Sequence, residues 1–304
     1  MAKRQPAKSK AAKNPAAKRT WTFEEVAGNV HILKMSLSSI SEELKILWLA
    51  DVHWDNPKCD RTMLKRNLDE ALEVDAPIIV IGDLFCAMQG KYDRRSNKSD
   101  VRPEHQHGDY LDRLVETAAE WFAPYKQNLV LIGQGNHESA IRDRHETCLL
   151  DRLAYRMRAD GGLTRTGGYD GWIRIMLDSY GTRESWVGYY HHGSGGGGPV
   201  TKGIIDFNRL AEQIQADFFV MGHVHRSMLV DNVVRKLSAS NRVEICERDY
   251  VRLSTYKEEA SSGHGFATER MMGSRPLGGK WLSIRGRYAN GNRHAEFYRR
   301  WSRV

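Results

Sequence analysis

The chain is 304 residues long, 40% hydrophobic and 28% charged, with a formal net charge of +8. Such a length supports a sizeable core, and no run approaches the roughly 18–20 continuous apolar residues of a membrane-spanning helix. The basic N-terminus leads into no apolar segment, so no secretory signal is expected. Cys59, Cys86, Cys148 and Cys246 are scattered without a C-x-x-C, which argues against a disulfide framework or a thiolate zinc site and favours a cytoplasmic protein.

The charge is uneven. Residues 1–20 carry seven Lys/Arg and no acid, and residues 280–304 carry seven Lys/Arg against Glu296 alone, so residues 21–279 come to −5. A Lys/Ala/Pro-rich tail over 1–20 is expected to be disordered, and basic ends attract polyanions.

In chain order, 29–37 and 44–53 read as strands, the second nearly continuous in apolar residues as a buried strand is. Residues 59–75 show a helical period. Residues 77–83 form a second buried strand, 108–125 a helix closed by Pro124, and 128–138 a third buried strand. Strands alternating with helices imply parallel pairing in an α/β fold, with sites beyond the carboxyl ends of the strands. A helix is expected at 144–160, antiparallel strands within 161–192, a loop at 193–203 and a helix at 204–215. The strand "FFVM" follows and runs into "GHVHR" (222–226). Residues 227–304 hold short alternating runs around a Ser/Gly-rich gap at 258–279, read as a lid or flexible crossing. The expected division is a main domain at 21–240 and a β-rich extension at 241–304 packed on it.

Ligand-type residues gather at the strand ends: Asp51 and His53, Asp83, Asn136 and His137, the pair His191 and His192, then His223 and His225. In an extended segment residues i and i+2 share a face, so His223 and His225 would point the same way. Burying five such sets unpaired is costly, and metal ions relieve that cost. Imidazole and carboxylate donors without thiolate favour Mn, Fe or Zn, with Mn preferred here. About seven donors exceed one coordination shell, so two ions are expected.

The ordered series D-x-H (51–53), G-D-x-x-C (82–86), G-N-H-E (135–138), H-G (192–193) and G-H-x-H (222–225) resembles the calcineurin-like metallophosphoesterase superfamily, over about residues 45–225. The resemblance implies a four-layer α/β/β/α sandwich with a small C-terminal β extension and a dinuclear centre at the sheet edge. It implies that Asp51, His53 and His225 hold one ion and that Asp83 bridges both. Asn136, His192 and His223 would hold the second ion, with His191 the alternative to His192. His137 would be catalytic, beside the scissile phosphate. Many members have Asp where this chain has Cys86, a poor acceptor for orienting His137. The segment "GDLF" (82–85) is similar to the double-strand-break repair nucleases of the superfamily.

The Gly-rich run 195–198 lacks the G-K-[ST] ending of a nucleotide P-loop and reads as a loop. "HQH" (105–107) reads as solvated surface, with Arg94, Arg95 and Arg102 as substrate contacts. The aromatics and arginines interleaved over 281–301 fit either nucleic-acid binding or an alternating strand with a basic solvent face. The expected function is two-metal hydrolysis of phosphodiesters, with nucleic acid as the partner. The alternatives are a phosphatase or nucleotide or cyclic-nucleotide phosphodiesterase, and less favoured, a non-catalytic scaffold.

Overall fold

The computed structural model describes residues 19–87, 100–179, 181–196, 198, 200–259, 274–288 and 295–304. The tail expected at 1–20, apart from Arg19 and Thr20, lies outside these residues, as do Arg94, Arg95 and most of the Ser/Gly-rich gap. Among the described residues the strands are β1 (Trp21–Ala27), β2 (Val30–Met35), β3 (Glu43–Leu49), β4 (Ile78–Ile81), β5 (Leu129–Gly133), β6 (Arg165–Thr166), β7 (Asp170–Ser179), β8 (Thr182–His191), β9 (Phe218–Met221), β10 (Met228–Leu237), β11 (Val243–Arg252), β12 (Lys280–Tyr288) and β13 (Ala295–Arg303). The helices are α1 (Arg61–Glu73), α2 (Tyr110–Phe122), α3 (Asn136–His145), α4 (Leu149–Ala159) and α5 (Ile204–Gln213).

The strands form two sheets, ordered β1-β2-β7-β8-β9-β11-β10 and β13-β12-β3-β4-β5-β6. In β3 the continuous apolar run serves both faces. Ile46 and Trp48 enter the layer between the sheets with Ile79, Ile81, Ile173, Ile175, Phe218 and Val220. Leu47 and Leu49 face the other way, onto Leu64 and Leu68 of α1 and Leu114 of α2. On the far side of the seven-stranded sheet, Phe207 of α5 packs on Tyr189, Phe219 and Tyr250. The layers are therefore α/β/β/α. Each buried aliphatic side chain contributes about 1.5–3 kcal/mol, which is why these strands read as apolar runs.

Two local expectations change. Strand 128–138 stops at Gly133, and Asn136 and His137 open helix α3, whose start went unseen because Gly135 is its N-cap and supplies no side-chain signal. Strand β1 was not anticipated, since only Trp21 of its seven residues is fully buried. The expected division at 240/241 falls in the turn between β10 and β11. Residues 241–304 supply β11, beside β9 in one sheet, and β12 and β13, beside β3 in the other.

What matters for the site is polarity. β3, β4 and β5 run parallel, and so do β8 and β9. Their carboxyl ends meet along one edge, where backbone bonds carry the pairing into the loops: Asp51 N donates to the Gly82 carbonyl and Gly222 N to the His192 carbonyl, each at 3.0 Å. His223 N donates to Asp51 Oδ2 at 2.8 Å, tying the two sheets together at that edge.

Candidate metal centre

Five of the seven expected ligands sit in the left-handed region of backbone space: Asp51 (φ 50°), His53 (48°), Asp83 (51°), His223 (71°) and His225 (54°). Strain of this kind in non-glycine residues costs on the order of 1–3 kcal/mol each and collects at functional sites. It also corrects the face-sharing argument for His223 and His225. β9 ends at Met221, alternation no longer applies, and the two rings go to different partners.

One cluster holds Asp51, His53 and His225. His53 Nε2 lies 3.2 Å from His225 Nε2, and His225 Nε2 lies 3.4 Å from Asp51 Oδ1, a buried carboxylate oxygen with no hydrogen-bond donor. The second cluster holds Asp83, His192 and His223. His192 Nε2 is 3.2 Å from Asp83 Oδ2 and 3.1 Å from Asn136 Oδ1, and His223 Nδ1 is 2.8 Å from the same Asn136 oxygen. Donors bound at about 2.0–2.2 Å around one ion stand about 3.0–3.5 Å apart. The spacings and the orphaned Asp51 oxygen therefore fit one ion in each cluster.

His192 is fully buried, and its Nδ1–H donates to the Ile81 carbonyl at 3.1 Å, turning Nε2 toward Asp83 and Asn136. His191 turns away, and its Nδ1 accepts the Gly193 N–H at 2.8 Å. Close approach requires glycine at several positions, Gly82 and Gly135 among them. A Cβ on Gly82 (φ +103°) would meet His192 Nδ1 at 2.4 Å, and one on Gly135 would meet Asp83 Oδ1 at 2.1 Å.

The electrostatics follow from burial and proximity. Burial, aided by the neighbouring charges of His137, Lys257 and His225, holds the His53 imidazole well below its ordinary value, so it is neutral and ligand-ready. Burial alone would lower His192 and raise Asp83. Their mutual attraction overrides it, pushing His192 up to about 9 and, with His137, holding the Asp83 carboxyl well below the usual range. His192 would have to be deprotonated at Nε2 to serve as a ligand.

His137, in the first turn of α3, packs edge-on to His53 with ring centroids 4.9 Å apart, and its backbone N–H donates to Asp83 Oδ1 at 3.0 Å. Its Nδ1–H donates to the Cys86 carbonyl oxygen at 2.5 Å. The acceptor is thus the backbone of residue 86. Cys86 Sγ instead accepts from Asn56 Nδ2 at 3.3 Å.

Three supporting residues were missed in the sequence. Buried Asp55 accepts from Cys86 N at 2.5 Å, Ala87 N at 2.8 Å and Tyr110 Oη at 2.9 Å. Glu138 accepts from the backbone N–H groups of Asp83, Phe85 and Gly135, fastening the two loops together. Arg252 is fully buried and donates to the carbonyls of Gly222 and Gly203 and to Asp206 Oδ2, at 2.8–2.9 Å. Asp55 stood beside the motifs and Glu138 closed the G-N-H-E motif without an assigned role, but only folding shows what they accept.

Of the 105–107 stretch expected at the surface, Gln106 and His107 are exposed, but His105 is buried, bonded through Nε2 to Thr117 at 2.9 Å and packed on Trp54. Arg102 donates to the carbonyls of Asn56 and Cys59, so it ties a loop together.

The α/β/β/α layering is the one that the sequence resemblance implies, and the expected ligands meet at one sheet edge. Among solved structures the chain is similar to a metallophosphoesterase from Sphaerobacter thermophilus, at 14% identity, covering 84% of this chain and 87% of that chain with a TM-score of 0.27. No family model and no curated protein matches the chain. No described helix is long and apolar enough to cross a membrane.

Proposed function

We propose that the protein is a two-metal phosphoesterase acting on phosphodiesters, with nucleic acid as substrate. One observation carries the hydrolytic reading: two donor clusters with ligand-shell spacing lie side by side, and His137 stands against both, through Asp83 on one side and His53 on the other. Asp51, His53 and His225 would hold one ion, Asn136, His192 and His223 the other, and Asp83 would bridge them. Divalent ions there, Mn²⁺ foremost, would supply positive charge against the phosphoryl oxygens and a hydroxide nucleophile at neutral pH.

The chain's own residues do the rest. His137 has Nδ1 committed to a carbonyl, so Nε2 is the atom that donates a proton to the leaving oxygen. The left-handed loops hold the donors before any ion arrives, which lowers the reorganisation needed on binding.

The choice of nucleic acid rests on the basic N-terminal tail and on the "GDLF" similarity. The C-terminal stretch lends less support. Trp281, Phe297 and Trp301 point into the core, while Arg285, Arg287 and Arg299 are paired with Glu43, Glu296 and Asp249. The free cysteines suit a cytoplasmic site of action.

The test is a panel assay of Mn²⁺-loaded protein on a generic diester, a generic monoester, single- and double-stranded DNA and cyclic dinucleotides, with His137→Ala as control. The variant should keep its metal and lose on the order of 10²-fold or more in turnover. Turnover of the monoester alone would refute the diester reading.

A further inference from the structure

The hairpin of β10 and β11 outgrows its sheet. β9 pairs only with Asp249–Arg252 of β11, so the rest of the hairpin, 231–248, is a two-stranded arm with β10 at its outer edge. One side of the arm carries the facing pairs Leu229–Val251, Asp231–Asp249, Val233–Glu247, Arg235–Ile245 and Leu237–Val243. At its base this side lies between the two sheets, where Val251 is buried and Asp249 accepts from Arg299 and Trp301 of β13. Arg299 also reaches the Glu247 carbonyl. Past that point the side is open and four of its six residues are apolar, with Arg235 and Glu247 between them: Val233 is 57% exposed, Leu237 68%, Val243 67% and Ile245 71%.

A two-stranded hairpin is marginal in water, a long bare edge strand invites another strand, and contiguous exposed apolar surface marks an interface. We propose that this arm is the interface of a symmetric dimer in which β10 pairs antiparallel with β10 of a second copy, about a twofold axis through Val233.

The strand's own sequence selects that axis. With the axis at Val233, Leu229 faces Leu237 of the other copy, Asp231 faces Arg235, and Val233 faces itself. Moving it to Asn232 sets Asp231 against Val233 and Leu229 against Arg235. Moving it to Val234 sets Asp231 against Leu237. On this side, of the three registers, only the one at Val233 pairs apolar with apolar and opposite charges with each other, the pattern that stabilises cross-strand neighbours; on the other side it sets Val230 against Lys236 and Asn232 against Val234. Lys236 is already matched within its own hairpin, to Glu244 at 3.2 Å. The register also brings each apolar arm tip, Leu237 and Val243, beside Leu229 at the base of the other arm. Such an interface is isologous, the same patch used twice. The arm carries four cations (Arg235, Lys236, Arg242, Arg248) against three acids (Asp231, Glu244, Glu247), a balance suited to self-pairing and not to a phosphate backbone.

The experiment is sedimentation velocity of the full chain and three variants, with circular dichroism to confirm folding. The wild type should sediment at twice the 34.7 kDa chain mass. Asp231→Arg and Arg235→Asp should each shift it to a single chain, and the double exchange should restore the dimer. The proposal is overturned by a wild type of single-chain mass at its highest soluble concentration, or by a dimer that neither reversal shifts. It is equally overturned if the double exchange stays monomeric where the single variants are.

Discussion

His137 Nδ1 lies 2.5 Å from the carbonyl oxygen of Cys86, so the ring of the proposed general acid is aimed by a peptide group and not by a side chain. That peptide is itself held, because Asp55 accepts the N–H groups of Cys86 and Ala87. Asp55→Ala should therefore lower kcat by about 10- to 100-fold through misorientation of His137, with KM and bound metal little changed. Asp55→Asn, which keeps one acceptor oxygen, should recover part of the loss. Cys86→Ala should leave kcat within about a factor of two. Steady-state kinetics on a small diester, with metal analysis of each variant, check all three; a low kcat in Cys86→Ala would show that the thiol matters.

His191 and His192 are adjacent, but only His192 reaches Asp83 and Asn136. His192→Ala should drop metal content from two ions per chain toward one, while His191→Ala keeps two. Elemental analysis after Mn²⁺ loading and desalting distinguishes them, and equal loss from both variants would contradict the assignment.

Arg252 is buried, and its carboxylate partner, Asp206, lies on α5 at 2.9 Å. Removing one partner of a buried pair strands the other charge. Asp206→Ala should destabilise the fold by roughly 2–4 kcal/mol, and adding Arg252→Met should recover part of this. Urea midpoints at constant m-value provide the measurement.

His31 is fully buried on β2, stacked on Phe23 at 5.4 Å, with both ring nitrogens short of a formed hydrogen bond. Burial holds its pKa below the ordinary 6.5, outweighing the pull of Glu25 and of the Trp172 backbone. The folded state thus resists a proton that the unfolded chain accepts. Its contribution is fully present above pH 6.5 and is lost as pH falls below that value toward the folded pKa. His31→Leu should flatten this acid loss, seen as a smaller fall in the denaturant midpoint between pH about 8 and about 5. A parallel pH dependence in variant and wild type would exclude His31 as its source.

Much of the candidate site is legible in the sequence because its expected ligands follow directly on apolar strands. The strand-end positions of Asp51, Asp83, His192 and His223 are local facts, set by where a hydrophobic run stops and a glycine lets the chain turn. The α/β class follows in the same way from the alternation of apolar runs with helical periods between residues 44 and 160.

Other features depend on atoms distant in the chain. The start of α3 has only a weak local signal, Gly135 at its N-cap with Glu138 three residues on, and the other bond that holds its first turn comes from distant Asp83. The separation of His223 from His225 is set by backbone dihedrals that no residue-type pattern specifies. Asp55, Arg252 and the Cys86 carbonyl act through hydrogen bonds to groups many residues away. The sequence by itself thus determined which donor chemistry this protein carries and at which strand ends, since ligand type and apolar periodicity are properties of neighbouring residues. The tertiary structure decided how near the expected donors of each cluster stand, that His192 and not His191 reaches Asp83 and Asn136, and what aims His137, because those depend on distances between segments that meet only when the two sheets pack.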